Sequence, residues 1–139
     1  MSDIQNEYLL TDVFGGFPSF HDAEVVTISL KRHGRDSYAE LEAVVHVFEM
    51  TDKVDESGRY ILQNHSLVKF RFSRIINLEL ADFNQQNVLA HLDITKTSDR
   101  DTDNIRFRVL LKGIHGVTAS FHCEAVSIES VEPFSPKEK

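Results

Sequence analysis

The chain has 139 residues, of which 41% are hydrophobic and 27% charged, with a formal net charge of −7. That is one ordinary globular domain, too apolar for a disordered chain, and no apolar run approaches the ~18 residues that span a bilayer. An acidic surface repels phosphate, so nucleic acid and anionic membrane are poor partners and a basic protein is a better one.

The single cysteine, Cys123, excludes an intrachain disulfide and a Cys-based zinc cage. The opening residues Met1-Ser2-Asp3-Ile4 lack the basic and apolar regions of a signal peptide, so a cytoplasmic protein is expected.

The first element is a short helix. Ile4, Tyr8 and Leu9 fall at helical spacing, Val13 and Phe14 follow, and Gly15-Gly16 supplies the stop. Pro18 then drives Phe17 towards an extended conformation. After Asp22 the period becomes two: Val26, Ile28 and Leu30 alternate with polar residues, as in a half-buried strand. Gly34 to Ser37 reads as a turn. Leu41, Ala43, Val45 and Val47 then share one face, with Tyr38, Glu40, Glu42 and His46 on the other, which predicts an antiparallel hairpin.

Thr51 to Arg59 is polar, contains Ser57-Gly58 and reads as a loop. From Ser66 to Leu80, Val68, Phe70 and Phe72 alternate with polar residues, and the phase slips at Ile75-Ile76 before Leu78 and Leu80. Such a slip turns side chains to the other face and predicts a bulge or corner near Ser73-Arg74. Phe83 to Asn87 is a connection, and Val88, Ala90, Leu92 and Ile94 form the next strand. Lys96 to Asn104 is a charged hairpin loop. Ile105, Phe107, Val109 and Leu111 alternate with Arg106, Arg108 and Lys112. After a turn at Gly113 to Gly116, Val117, Ala119, Phe121 and Cys123 form a strand that bends or restarts at Val126, Ile128 and Val131.

The fold class is therefore all-β to α+β: an antiparallel β-sandwich or open barrel of about seven strands with a short N-terminal helix. One domain covers residues 1–132, and 133–139 is a tail expected to fray. The expected core is Val26, Ile28, Leu30, Leu41, Ala43, Val45, Val47, Phe70, Phe72, Leu78, Leu80, Phe107, Val109 and Phe121, because alternate positions share a face.

Few residues carry a chemical signal. His21-Asp22 matches metal-ligand pairs of one hydrolase class, but those enzymes are helical and need further ligands. The plainer reading is a structural pair in which Asp22 orients the imidazole or satisfies backbone N–H groups. Asp99, Asp101 and Asp103 have the first spacings of a calcium loop, which then fails at Asn104 and Leu110. His122 and Cys123 point to opposite sides of a strand, so they are no nucleophile-base pair, and Cys123 reads as buried. His46 and His91 lie on polar phases of their strands. Arg106, Arg108 and Lys112 form a basic stripe, expected to pair across strands with carboxylates such as Glu40 or Glu42 rather than to make an anion site. No catalytic residue, metal ligand set or cofactor is expected.

One segment carries more. Phe17-Pro18-Ser19-Phe20-His21-Asp22-Ala23-Glu24-Val25 resembles the opening motif of the bacterial immunity protein 50 family, whose pattern favours Trp where this chain has Phe17. Leu67 to Phe72 before Asn77 to Leu80, Phe83 to Val88, and Ser120 to Cys123 are similar in kind. The resemblance implies an immunity protein of a polymorphic toxin system, held in the bacterial cytosol. It would bind and neutralise a cognate toxin domain by stoichiometric blockade, without catalysis. The motif residues Phe17, Pro18, Phe20, His21, Asp22 and Glu24 would be scaffold or interface. Partner-binding candidates are Tyr38, Glu40, Glu42, Asp52, Asp55, Glu56, Tyr60, Asp99, Asp101 and Asp103, with the tyrosines as aromatic anchors. Two alternatives stay open: a small metal-dependent hydrolase using His21 and Asp22, and a ligand-binding β-barrel.

Overall fold

The computed structural model describes residues 3–33, 38–97 and 105–135. Among them are one helix, α1 (Tyr8–Phe14), and eight strands: β1 (Glu24–His33), β2 (Tyr38–Val54), β3 (Tyr60–Ser73), β4 (Ile76–Ala81), β5 (Val88–Lys96), β6 (Phe107–His115), β7 (Thr118–Cys123) and β8 (Ala125–Pro133). All pair antiparallel in one open sheet, in the order β4-β7-β6-β5-β1-β2-β3-β8. The expected seven strands become eight because Glu124 separates β7 from β8.

The sheet folds over on itself. Phe72 on β3 and Phe121 on β7 are not sheet neighbours, yet their rings meet edge-on at 5.0 Å. The four strands β1-β2-β3-β8 thus face β4-β7-β6-β5 across one core, as stacked layers do. The chain passes between layers at two adjoining corners. At one, Arg74 takes φ 54° between β3 and β4, where the sequence phase slips. At the other, Glu124 donates its N–H to the Ser73 carbonyl (2.9 Å), and its carboxylate meets Arg74 at 2.9 Å.

The second junction is the seam between β5 and β1, and the Phe17–Val25 segment builds it. Only Glu24 and Val88 form a ladder pair there. The Asp22 N–H donates to the Leu89 carbonyl (2.8 Å), the Leu89 N–H to Ala23 (2.9 Å), and the Val25 N–H to Asn87 (2.9 Å). Asp22 sits at φ 69°, a left-handed conformation that Asp tolerates better than most residues. Gly15 ends α1 with its N–H on the Thr11 carbonyl, and the helix packs on β8 through the fully buried Leu10. Ahead of it, Gln5 bonds to the Val126 carbonyl and the Ile128 N–H, which covers the outer edge of β8.

Eleven of the expected core positions hold, with Ile28 and Leu78 partly buried. Val26, Leu30 and Leu80 do not. A bulge between Val25 and Thr27 turns Val25 inward and leaves Val26 outside at 47% exposure. Leu30 pairs with buried Leu41, but it lies where β1 has parted from β5, and nothing covers it. Leu80 is on the edge strand β4. At the other end of the chain, β8 continues to Pro133, and the Phe134 N–H bonds to the His65 carbonyl. The tail from Pro136 lies outside the described residues.

Candidate functional site: a projecting ribbon

β2 and β3 outrun their neighbours. β1 leaves β2 at the Glu24–His46 pair, and β8 leaves β3 at Ser66–Pro133. Beyond those points the two strands pair only with each other, through Glu49–Gln63, Met50–Leu62 and Val54–Tyr60. The loop expected over Thr51 to Arg59 is therefore strand as far as Val54, and the turn is confined to 55–59. Val54, Tyr60, Ile61 and Leu62 are apolar and mostly strand-forming, and their pull outweighs the polar residues between them.

The turn is held by Asp55. Its Oδ1 accepts from the Ser57 N–H (2.9 Å), the Ser57 hydroxyl (2.7 Å) and the Arg59 N–H (3.1 Å). Those bonds, the hydroxyl's first, hold the Asp55 carboxyl below its ordinary range. Asp52 and Glu56 are exposed beside it, with Lys53 and Arg59 as the local cations. Nearer the body, Glu49 accepts from the side chains of Gln63 (3.0 Å) and Asn64 (2.6 Å).

The pairing sorts the ribbon into faces. Tyr60 and Leu62 are two apart and share a side, and their partners Val54 and Met50 share it with them. Their exposures are 56, 37, 56 and 55%, so this is a continuous apolar row that the rest of the described chain leaves bare. At its root an open cavity of about 540 Å³ lies between Phe14 and Pro18 on one side and Phe48 and Met50 on the other.

Also at the root, the ring nitrogens His46 Nε2 and His65 Nδ1 stand 2.9 Å apart. Phe134 packs edge-on to His46 at 4.9 Å, and Phe48 touches both imidazoles. Burial, and then the neighbouring His65, hold the His46 pKa below the usual histidine value.

The other expected site residues divide by location. Phe20 is buried against Phe70 at 5.7 Å, and Phe17 covers Phe20 at 5.5 Å while remaining 39% exposed. The His21 ring bonds the Ala90 carbonyl through Nδ1 (3.1 Å) and approaches Asp22 at 3.6 Å. Glu24 stands half-buried at the seam. Among the described residues no third His, Cys, Asp or Glu joins a pair to form a metal-holding group.

Tyr38 lies at the opposite end of β2 from the ribbon, stacked on His33 at 4.7 Å with the Arg74 guanidinium 5.2 Å from its ring. Glu40, expected as an outer carboxylate, is only 5% exposed and bonds His33 at 3.0 Å. Glu42 pairs with Lys69 at 3.6 Å. The basic stripe does not reach either glutamate: β6 lies between β5 and β7, so Arg108 faces Thr95 and His122. His91 pairs with Asp93, and His46 with His65. Cys123 is fully buried, and burial pushes its thiol pKa up to about 12. Asp99, Asp101 and Asp103 lie outside the described residues.

Of the partner-binding candidates, the fold thus brings together Asp52, Asp55, Glu56 and Tyr60. Met50, Val54 and Leu62 beside them were missed. Their signal was the alternation of Tyr60 with Leu62, hidden by reading the preceding stretch as loop.

Comparison with curated proteins and with solved structures gave no match. A family model described as immunity protein 50 matches residues 6–134, from just ahead of α1 to just past β8, and so spans both layers, the seam and the ribbon. The chain belongs to the immunity protein 50 family.

Proposed function

We propose that this chain is the immunity protein of a bacterial polymorphic toxin system. It binds the toxin domain encoded beside it, in the cytoplasm of the producing cell, and blocks that domain stoichiometrically without catalysis. The observation that carries this reading is the family match over residues 6–134. The net charge of −7 supports a cationic protein partner over nucleic acid. No helix among the described residues is long and apolar enough to cross a membrane.

The motif that suggested the family acts as scaffold in this reading. Phe20 plugs the core, and Asp22, Ala23 and Val25 join the two layers at β5. The test is co-expression with the neighbouring toxin domain. Cells carrying both should grow, and cells carrying the toxin domain alone should die. Death at equal rates with the folded, abundant protein present would remove the reading. A zinc- or manganese-dependent hydrolase activity abolished by His21→Ala would replace it.

A further inference from the structure

We infer that the β2–β3 ribbon is the element that enters the partner. Its Met50, Val54, Tyr60 and Leu62 face lies on an apolar wall, and Asp52, Asp55 and Glu56 reach into a cationic recess. The inference rests on the immunity reading and adds the surface and the chemistry of the partner that fits it.

Four observations converge on this element. The apolar row is contiguous and uncovered, and a two-stranded ribbon alone in water is marginal until something covers it. The tip carries three carboxylates, one of them locked in place by three hydrogen bonds within the turn. A pre-set turn loses less freedom on docking than a mobile loop. The ribbon is long and narrow: on β3 the steps from Tyr60 to His65 span up to about 17 Å at ~3.3 Å per residue, and two strands lie ~4.8 Å apart. That shape fits a recess better than a flat surface. The cavity between Phe14, Pro18, Phe48 and Met50 then extends the contact onto the body, towards the ~800 Å² per partner of a stable interface.

A second copy of this chain is a poorer occupant, because two acidic tips would meet. Arg59 and Lys53 flank the tip without reversing its sign.

The experiment uses the full chain and the purified C-terminal domain of the neighbouring toxin. Binding is measured for the wild type, Tyr60→Ala/Leu62→Ala, Asp52→Lys/Glu56→Lys, and Tyr8→Ala as an exposed control on α1. All substituted side chains are exposed, and unfolding midpoints check that each variant is folded. The apolar pair should weaken Kd at least ten-fold, mainly through faster dissociation. The charge reversal should slow association at least ten-fold at low salt, with the deficit shrinking as salt rises. Tyr8→Ala should bind as the wild type does. Ribbon variants that bind as tightly as a binding wild type would remove the ribbon proposal and leave the immunity reading intact. A wild type that does not bind would remove both. A wild type that is dimeric without toxin, and monomeric after Tyr60→Ala/Leu62→Ala, would reassign the face to self-association and overturn the proposal.

Discussion

The inner and outer parts of β2 and β3 belong to the same two paired strands, unbroken within and twice bulged without, yet their apolar side chains meet opposite fates. From Leu41 to Val47 and from Val68 to Phe72, the inward side chains are 0–1% exposed. From Met50 to Val54 and from Tyr60 to Leu62, comparable apolar side chains are 37–56% exposed. What differs is what surrounds them. The inner part has β1 on one side, β8 on the other and a second layer across the core, and the outer part has none of these. Burial belongs to the assembly, and alternation only nominates candidates for it.

Paired substitutions sharpen the contrast. Phe72→Ala removes a ring that touches both Phe70 and Phe121, and should cost ~3–5 kcal/mol in denaturant unfolding. Tyr60→Ala on the ribbon should stay within ~0.5 kcal/mol. Equal losses would mean that the ribbon packs on the body in solution.

Two glycines make a second pair. Gly58 in the ribbon turn and Gly116 between β6 and β7 have φ 87° and 78°. A Cβ at Gly58 meets nothing, so Gly58→Ala should cost only the ~1–2 kcal/mol of a left-handed alanine. A Cβ at Gly116 would lie 2.1 Å from the Gln86 carbonyl oxygen, so Gly116→Ala should cost more. Thermal unfolding of the two variants decides it; equal midpoints would show that the backbone at Gly116 yields.

The boundary itself should respond to pH. The His46 pKa is lowered in the folded chain and returns to its ordinary ~6.5 on unfolding, so the unfolded state binds more protons between those values. The stability this group contributes is complete above about pH 6.5 and is lost as pH falls through the folded value. His46→Phe should flatten the fall of Tm between pH 7 and 5. A variant curve as steep as the wild type's would place the pH sensitivity elsewhere.

The last contrast leaves stability unchanged. With its thiol pKa near 12, Cys123 should resist alkylation at pH 8 until the protein is denatured. A cysteine placed by Tyr60→Cys should react in the folded state at the rate of a free thiol. Rapid labelling of native wild type would show the core opening around Phe121.

The sequence made legible what depends on short range. The stop at Gly15, the phase of Leu41 to Val47 and the corner at Arg74 could all be read from neighbours in the chain. What depends on strand order could not. The basic stripe is an example: two other strands, β5 and β7, flank β6 and keep it from Glu40 and Glu42. Glu40 is a different case, since its partner His33 is near in the chain, but alternation puts Glu40 on the polar face and does not report that contact. The bulge at Val26 left a faint mark, the adjacent Val25 and Val26, which reads equally well as an ordinary strand entry. At the candidate site, the acidic tip and Tyr60 were visible as polar and aromatic signals. The apolar row needed the Met50–Leu62 and Val54–Tyr60 register to be seen as one face.

The covering of β8 by Gln5 sets a timetable for biosynthesis. The Asn6 side chain donates to the Ile128 carbonyl, 122 positions further along, and β3 likewise waits for β8. At ~5–20 residues per second, the ribosome needs roughly 6–24 s to deliver that partner after Asn6 is made. Through that interval the apolar face around Leu10 has no cover, nor has the flank of β3 once that strand is made, and native pairing cannot close. A ribosome-bound chain that stops short of β8 therefore keeps the edge of β3 unpaired, whatever the state of its earlier strands.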